Sequence, residues 1–143
     1  MTTKPFNRPV LLIEDNPVDI DLTLRAFAKR NLTNPVLIAR DGEEALTWLP
    51  RWEAGVQVPL VILLDLKLPR VAGLEVLRQL KQNPTSRKIP VVILTSSAED
   101  RDIAEAYRLG ASSYIVKPVD FAKFLEVTAR IELYWCVTNE PPR

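Results

Sequence analysis

A run of apolar residues at positions 60–64 stops at a carboxylate, Asp65, which is followed by Leu66-Lys67-Leu68-Pro69. An unbroken apolar run without alternation is typical of a strand that is buried on both faces of a sheet. Such a strand needs helices on either side. Open α/β sheets bind ligands just beyond the carboxyl ends of their strands, so an acid at that point indicates a site more than a packing role. Asp65 is therefore the first candidate for chemistry.

The pattern of a short apolar strand followed by a helical segment recurs along the whole chain. The predicted strands are 10–13, 36–39, 61–64, 89–94 and 113–116. Strands that alternate with helices predict a parallel α/β sheet with right-handed crossovers, and the doubly wound order 2-1-3-4-5 fits five strands. A chain of 143 residues fits one domain. We place that domain at residues 8–137, with flexible termini at 1–7 and 138–143.

Local signals place the helices between these strands. Asn16-Pro17 supplies an N-cap and a first helical residue, and the helix should end near Asn31, with an apolar face formed by Ile20, Leu24 and Phe27. A second helix is predicted over 43–49, limited by Pro50 and followed by a loop over 51–59. The remaining three are a helix closed by Asn83-Pro84, a helix over 99–109 followed by a left-handed Gly110, and a helix capped by Asp120.

The composition excludes several classes of protein. The chain has no histidine and one cysteine, Cys136, which excludes a Ser-His-Asp or Cys-His nucleophile, histidine-ligated zinc and an internal disulfide. Its four glycines are too far apart for a dinucleotide-binding or P-loop motif. The net charge is +1 and no apolar run is long enough for a membrane helix, so we expect no nucleic-acid or membrane partner and a cytoplasmic location.

Polar side chains follow four of the five predicted strands. Glu14 and Asp15 follow the first strand, Asp65 the third, Thr95 the fourth and Lys117 the fifth. Because strands 1 and 3 are neighbours in the predicted order, we expect the three carboxylates to converge, with the hydroxyl and the ammonium beside them. Each acid taken alone could be only a helix cap. Convergence favours a functional site over capping, since two carboxylates ~4 Å apart repel by about 4 kcal/mol at an effective dielectric constant of ~20, a cost that a purely structural arrangement would seldom accept.

A divalent cation would remove this repulsion. Oxygen ligands without histidine or thiolate favour Mg²⁺, with Mn²⁺ as the alternative ion. Asp15 and Asp65 are the first predicted ligands, with Glu14 in the same cluster and the backbone carbonyl of Lys67 as a further candidate.

The same residues suit phosphoryl transfer. A carboxylate beside Mg²⁺ and an ammonium can attack phosphorus and form an aspartyl phosphate. In such a transfer Lys117 would neutralise charge on the phosphoryl oxygens, and Thr95 would hydrogen-bond one of them.

Short motifs at the strand ends carry a family resemblance. They are Glu14-Asp15, Asp65-Leu66-Lys67-Leu68-Pro69 with Gly73, Thr95-Ser96, and Lys117-Pro118. Over residues ~8–135 the chain resembles the receiver domain of two-component response regulators, which has a flavodoxin-like fold. The resemblance implies that Asp65 accepts a phosphoryl group from a phosphohistidine on a sensor histidine kinase, and that the protein is a phosphoacceptor and not an enzyme. It also implies a switch pair of Thr95 and Tyr114, phosphate contacts at Thr95-Ser96, and a cis bond before Pro118.

A narrower resemblance runs through the first third of the chain. It is carried by Glu14-Asp15-Asn16-Pro17, Asp19, Ala26-Phe27, Asn34 and the segment 41–46. These residues are similar to those of the single-domain response regulators paired with cyanobacterial phytochromes. The partner kinase that this implies is a phytochrome-type light sensor.

Two other functions stay open. An aspartate-nucleophile phosphatase also combines an α/β fold with Asp and Mg²⁺, but such enzymes usually place a second Asp two residues after the nucleophile, where this chain has Lys67. The other is a protein-binding module whose acids only cap helices, and bound Mg²⁺ would discriminate against it.

The end of the last predicted helix is rich in large side chains. Leu133, Tyr134, Trp135 and Val137 cannot all point into one core. Aromatic residues are enriched in interfaces, and most soluble oligomers are twofold homodimers. We predict a homodimer through the face made by the fourth predicted helix, the fifth strand and the fifth predicted helix, with Tyr134 and Trp135 in the interface. We also expect a downstream partner protein.

Overall fold

Five parallel strands form one sheet in the computed structural model, which describes residues 8–29, 34–117 and 126. The strands are β1 (Val10–Ile13), β2 (Val36–Ala39), β3 (Val61–Leu64), β4 (Val91–Thr95) and β5 (Ser113–Val116), in the order β2-β1-β3-β4-β5. This confirms the predicted order. β4 begins at Val91 and includes Thr95, so it lies slightly later in the chain than predicted. Ile13 pairs with Leu64, which places the carboxyl ends of β1 and β3 side by side.

Successive residues of the central strands enter two cores on opposite faces of the sheet. One core contains alternate strand residues together with residues from helices that cover that face: Leu11, Ile13, Ile62, Leu64, Val91, Ile93, Trp52, Val76, Leu77, Leu80 and Ala106. The other contains the intervening strand residues and residues of the first helix: Val10, Leu12, Val61, Leu63, Val92, Leu94, Ile115, Ile20, Ala26 and Phe27. Burial on both faces explains why the strands read as unbroken apolar runs.

The first helix, α1 (Pro17–Lys29), buries a different set of residues from the predicted one. Ile20 and Phe27 are buried as expected, but Leu24 is 37% exposed, and Thr23 takes its place in the buried stripe at 7% exposure. The spacing from Ile20 to Thr23 to Phe27 is three and then four residues, which keeps one face of a helix as well as the predicted spacing does. The Thr23 hydroxyl donates a 2.9 Å hydrogen bond to the Asp19 carbonyl, so its burial leaves no unpaired donor.

The second predicted helix is two short helices, α2 (Gly42–Leu46) and α3 (Trp48–Glu53). The prediction that Pro50 limits the helix and that 51–59 is all loop is wrong. Pro50 is the third residue of α3, where a backbone N–H has no intrahelical acceptor, so proline costs no hydrogen bond there.

The later helices lie close to their predicted positions. α4 (Gly73–Gln82) ends at the C-cap Asn83, and α5 (Asp100–Arg108) is followed by Gly110 at φ 109°, which is the expected left-handed residue. The helix capped by Asp120, the Lys117-Pro118 bond, the end of the first helix near Asn31, and Tyr134 and Trp135 lie outside the described residues. None of the helices in the described part of the chain is long and apolar enough to cross a membrane.

Candidate functional site

Two acids stand at the carboxyl edge of the sheet because the strand ladder continues one residue beyond β1 and β3. The Glu14 amide donates to the Ala39 carbonyl at 2.9 Å, and the Asp65 amide donates to the Ile13 carbonyl at 3.0 Å. These bonds fix both backbones in register with the sheet. Glu14 is 2% exposed and Asp65 is 6% exposed.

Asp15 completes a cluster of three carboxylates. One carboxylate oxygen from each of Glu14, Asp15 and Asp65 lies within 4.8 Å of the other two. Glu14 and Asp65 are buried, whereas Asp15 is exposed, so the cluster opens to solvent on one side. Carboxylate oxygens this close fit a hard divalent cation such as Mg²⁺ or Mn²⁺, which relieves the repulsion between them. The structure therefore brings together the three acids that the sequence predicts to converge.

Lys117 lies against this cluster at the end of β5. Its backbone amide donates to the Thr95 carbonyl at 2.7 Å, which holds it beside β4. Its Nζ lies 2.7 Å from Glu14 Oε1, 2.8 Å from Asp19 Oδ2 and 3.2 Å from Asp65 Oδ2. An ammonium has three N–H donors, so these three carboxylates use all of them.

Burial and shared charge shift two pKa values in this cluster. Burial raises the pKa of Glu14 from 4.5 to about 7, against the opposing effect of its hydrogen bond from Lys117, and the charge of Asp65 adds to the rise. Burial alone would lower the pKa of Lys117, but its hydrogen bonds to Asp19 and Glu14 and the charge of Asp65 hold that pKa above its ordinary value. One ammonium is shared by three carboxylates, so Lys117 stays protonated while Glu14 resists ionisation.

Asp19 is a part of the site that sequence reasoning missed. It is the third residue of α1, and the Asn16 side chain caps this helix by accepting from the Val18 amide at 2.9 Å and the Asp19 amide at 3.4 Å. An acid at this position reads as a residue that stabilises a helix N-terminus. The available signal was its placement four residues after Asp15, in a helix that starts directly at the carboxyl edge of the sheet.

The segment after Asp65 packs tightly against the start of α4. The Lys67 amide donates to Asp65 Oδ1 at 3.1 Å, and the Gly73 amide donates to the Leu66 carbonyl at 2.9 Å. A Cβ on Gly73 would lie 2.4 Å from the Asp65 carbonyl oxygen, closer than any real contact. Only glycine permits this approach. The Lys67 carbonyl stays a predicted ligand.

Thr95 and Tyr114 lie on neighbouring strands and share a contact residue, Ser97. Thr95 is fully buried, and its Oγ1 accepts from the Ser97 amide at 3.4 Å. Tyr114 is 8% exposed, and its hydroxyl donates to the Ser97 carbonyl at 2.9 Å. The Tyr114 side chain is therefore buried, with its hydroxyl paired. Ser96 is exposed, and sequence reasoning gave Ser97 no role.

The arrangement combines a buried carboxylate, an ammonium and a hydroxyl at one sheet edge. Asp65 Oδ2 faces Lys117, and Asp65 Oδ1 faces the Lys67 amide, so both carboxylate oxygens are oriented by donors. Thr95 ends the adjacent strand, β4. Such a set can bind a phosphoryl group and neutralise its charge.

Comparisons with known proteins identify a family that this chain resembles over most of its length. The model of the family described as the response regulator receiver domain matches residues 10–129. The chain is 40% identical over 134 residues to the probable methanogenesis regulatory protein FilR2 of Methanothrix harundinacea, covering 93% of this chain and 86% of FilR2. It is 34% identical over 136 residues to response regulator Rcp1 of Synechocystis sp., covering 93% of this chain and 92% of Rcp1.

Solved structures of response regulators are also similar to this chain. The bacteriophytochrome response regulator RtBRR is 47% identical and superposes with a TM-score of 0.78, covering 94% of this chain and 84% of that one. The Mn(2+)-bound form of Rcp1 is 33% identical, with a TM-score of 0.76 over 95% of this chain and 99% of that one. The chain is thus similar to phytochrome response regulators in sequence and fold.

Proposed function

This chain belongs to the response regulator receiver domain family, and on that premise we propose that Asp65 is its phosphoacceptor. The observation that carries the proposal is the contact of Asp65 Oδ2 with Lys117 Nζ at 3.2 Å, inside a cluster of acids that fits a divalent cation. Among the three acids of this cluster, Asp65 is the one that is both buried and hydrogen-bonded by the segment that follows β3. The phosphoryl donor is a phosphohistidine of a sensor histidine kinase.

In the proposed transfer, a carboxylate oxygen of Asp65 attacks the phosphorus of the phosphohistidine. The P–N bond breaks, and the imidazole nitrogen keeps the electron pair. Lys117 donates to a phosphoryl oxygen with the N–H that now contacts Asp65, and the Thr95 hydroxyl donates to another. Ser96, which is exposed next to Thr95, is the further phosphate contact that we propose.

Glu14, Asp15 and Asp65 are proposed to hold Mg²⁺ or Mn²⁺, with the Lys67 backbone carbonyl as an added ligand. The fit rests on carboxylate oxygens that lie within 4.8 Å of one another, a donor set that suits hard cations. The bound ion supplies charge neutralisation to the phosphoryl oxygens. The structure of Rcp1 with Mn(2+) supports the choice of ion.

We propose a phytochrome-type light sensor as the partner kinase. Support comes from the likeness to the bacteriophytochrome response regulator RtBRR and to the phosphorylated cyanobacterial phytochrome response regulator RcpA. Family membership also supports a cytoplasmic location and a domain over 8–137. Transfer from an autophosphorylated phytochrome kinase, compared with a sensor kinase of another class, tests the partner: equal rates would remove the preference.

The output is proposed to be protein–protein contact, including a homodimer. Tyr107 of α5 is 48% exposed and Val116 of β5 is 36% exposed, which supports an interface that uses these two elements. Tyr134 and Trp135 stay the predicted residues of the same interface. Sedimentation at micromolar concentration tests it. A monomer with and without a phosphoryl mimic would exclude the dimer, and a dimer that survives Tyr107→Asp combined with Trp135→Asp would exclude this face.

Intact-mass measurement after incubation with acetyl phosphate and Mg²⁺ tests the phosphoacceptor. The expected product carries one acid-labile phosphoryl group per chain, absent from Asp65→Asn and present in Asp21→Asn. Asp21 is a suitable control because it is an exposed acid of α1 that pairs with Arg25 at 2.9 Å. Continuous release of phosphate without an accumulated adduct would support a phosphatase instead.

A further inference from the structure

Asp19 contacts the site through Lys117 and not through the acid cluster. Its Oδ2 lies 2.8 Å from Lys117 Nζ, and its side chain is 25% exposed, against 3% for Glu14. Its position is set by the first turn of α1, which the Asn16 side chain caps at the Asp19 amide. The carboxylate therefore reaches Lys117 from the solvent side of the site, on a fixed backbone.

The three partners of Lys117 differ in one respect. Glu14 and Asp65 also belong to the cluster of carboxylates that fits a divalent cation, whereas Asp19 does not. A cation in the cluster and the Lys117 ammonium thus compete for the same two carboxylates. Asp19 pairs with Lys117 but does not belong to the cation cluster.

We infer that Asp19 is a positioning residue for Lys117. When Glu14 and Asp65 interact with a bound divalent cation, Asp19 keeps its ion pair with Lys117, and this strengthens binding of the cation. The inference rests on the metal site of the proposed function. With Asp19 present, Lys117 keeps a charged partner as the ion enters. Without that charge, Lys117 pairs more strongly with Glu14 and Asp65, and the ion must displace it from both.

The effect on phosphoryl transfer follows from the same geometry. Asp19 and Glu14 take two of the three N–H donors of Lys117, which leaves the third directed at Asp65. Asp19 therefore orients the ammonium towards the phosphoacceptor without touching the phosphoryl group itself.

Calorimetric titration of the full chain with Mn²⁺ and with Mg²⁺ tests this inference. The matched pair is Asp19→Asn and Asp21→Asn, which remove one acid each from the same turn of α1. Asp21 pairs with Arg25 and its side chain is 58% exposed. We expect Asp19→Asn to weaken binding of both ions about tenfold, which corresponds to about 1.4 kcal/mol. Asp21→Asn should weaken it less than about twofold, since solvent and salt screen exposed charges.

Repeating both substitutions in a Lys117→Met background separates positioning from plain charge. If Asp19 acts through Lys117, Asp19→Asn should then weaken ion binding no more than Asp21→Asn does, because the Lys117 ammonium no longer competes with the ion. Lys117→Gln serves the same purpose if Lys117→Met does not fold.

The outcomes separate the two proposals. A wild type that binds neither ion overturns the metal site and this inference together. A wild type that binds ions, with equal affinity in Asp19→Asn and Asp21→Asn, overturns this inference alone. A tenfold loss that persists without Lys117 also overturns it, because Asp19 would then act directly on the ion.

Discussion

The Tyr114 hydroxyl donates a 2.9 Å hydrogen bond to the Ser97 carbonyl, and the Ser97 amide donates to Thr95 Oγ1 at 3.4 Å. Both residues of the proposed switch pair thus contact one residue of the loop between β4 and α5. The Ser97 hydroxyl in turn donates to Asp102 Oδ2 at 2.5 Å, which connects this loop to the first turn of α5. A change at Thr95 can therefore reach Tyr114 and α5 through Ser97.

Tyr114→Phe should lower the free energy of unfolding by about 1 kcal/mol. The substitution keeps the buried ring but removes the donor to the Ser97 carbonyl, and a typical intramolecular hydrogen bond contributes about this amount. Urea denaturation measures the loss. Tyr107→Phe is the control, since Tyr107 is 48% exposed on α5 and should lose little. Equal losses in the two variants would show that the bond to Ser97 adds no stability.

Thr95→Ala should leave phosphorylation by acetyl phosphate largely intact but uncouple it from partner binding. The phosphoacceptor keeps Lys117, while the hydroxyl that would link a phosphoryl group to Ser97 is lost. The affinity for a phytochrome-type kinase, measured with and without phosphorylation, compares this variant with the wild type. Ser96→Ala removes the neighbouring exposed hydroxyl and should have the smaller effect on coupling. Unchanged coupling in Thr95→Ala would exclude its role in the switch.

The sheet was predictable because strands that are buried on both faces have unbroken apolar sequences. Unbroken apolar runs identify β1 and β3, and Asn16-Pro17 identifies the start of α1 by cap chemistry alone. Convergence of the acids then follows from strand order, since residues after neighbouring parallel strands meet at one edge.

Other features depend on choices between alternative local structures, or on long-range contacts, that the local sequence does not determine. Pro50 is compatible with either the end of one helix or the first turn of the next. Leu24 and Thr23 are adjacent on α1, and the structure buries the smaller residue. The contact between Asp19 and Lys117 joins residues 98 positions apart, and it depends on the reach of two side chains from different elements. Spacing rules do not describe such a contact.

Asp65→Asn should stabilise the metal-free protein. It removes one of the carboxylates that repel each other near Glu14, and Lys117 keeps Glu14 and Asp19 as charged partners. Thermal denaturation with EDTA should show a higher Tm than wild type, and Mg²⁺ should raise the Tm of the wild type more than that of the variant. A lower Tm for metal-free Asp65→Asn would mean that attraction to Lys117 outweighs the repulsion.

Gly73→Ala should destabilise the protein by about 1–3 kcal/mol, the usual cost of overpacking. The added Cβ would lie 2.4 Å from the Asp65 carbonyl oxygen, so the phosphoacceptor backbone or the start of α4 must move. Gly55→Ala is the contrasting variant: its φ of 107° makes alanine unfavourable, but no atom lies within 4 Å of the new Cβ. Only Gly73→Ala should also slow phosphorylation. Normal phosphorylation in that variant would show that this approach does not position Asp65.

The raised pKa of Glu14 predicts how stability depends on pH. An acid whose pKa is about 7 in the native state and 4.5 in the unfolded state leaves the unfolded chain with fewer bound protons between these values, so stability falls as pH rises. From pH 5 to pH 7 the fall due to Glu14 is about 2 kcal/mol. The chain has no histidine, so no other type of side chain ordinarily titrates in this interval.

Urea denaturation at pH 5, 6 and 7 in EDTA should therefore show decreasing stability in the wild type and a nearly flat profile in Glu14→Gln. Added Mg²⁺ should reduce the fall, because the ion favours the ionised carboxylate and becomes more stabilising as Glu14 loses its proton. Glu44→Gln, at an exposed acid of α2, should keep the wild-type slope. A wild-type profile that is flat or rises from pH 5 to pH 7 would mean that Lys117 holds Glu14 ionised and that burial does not dominate its pKa.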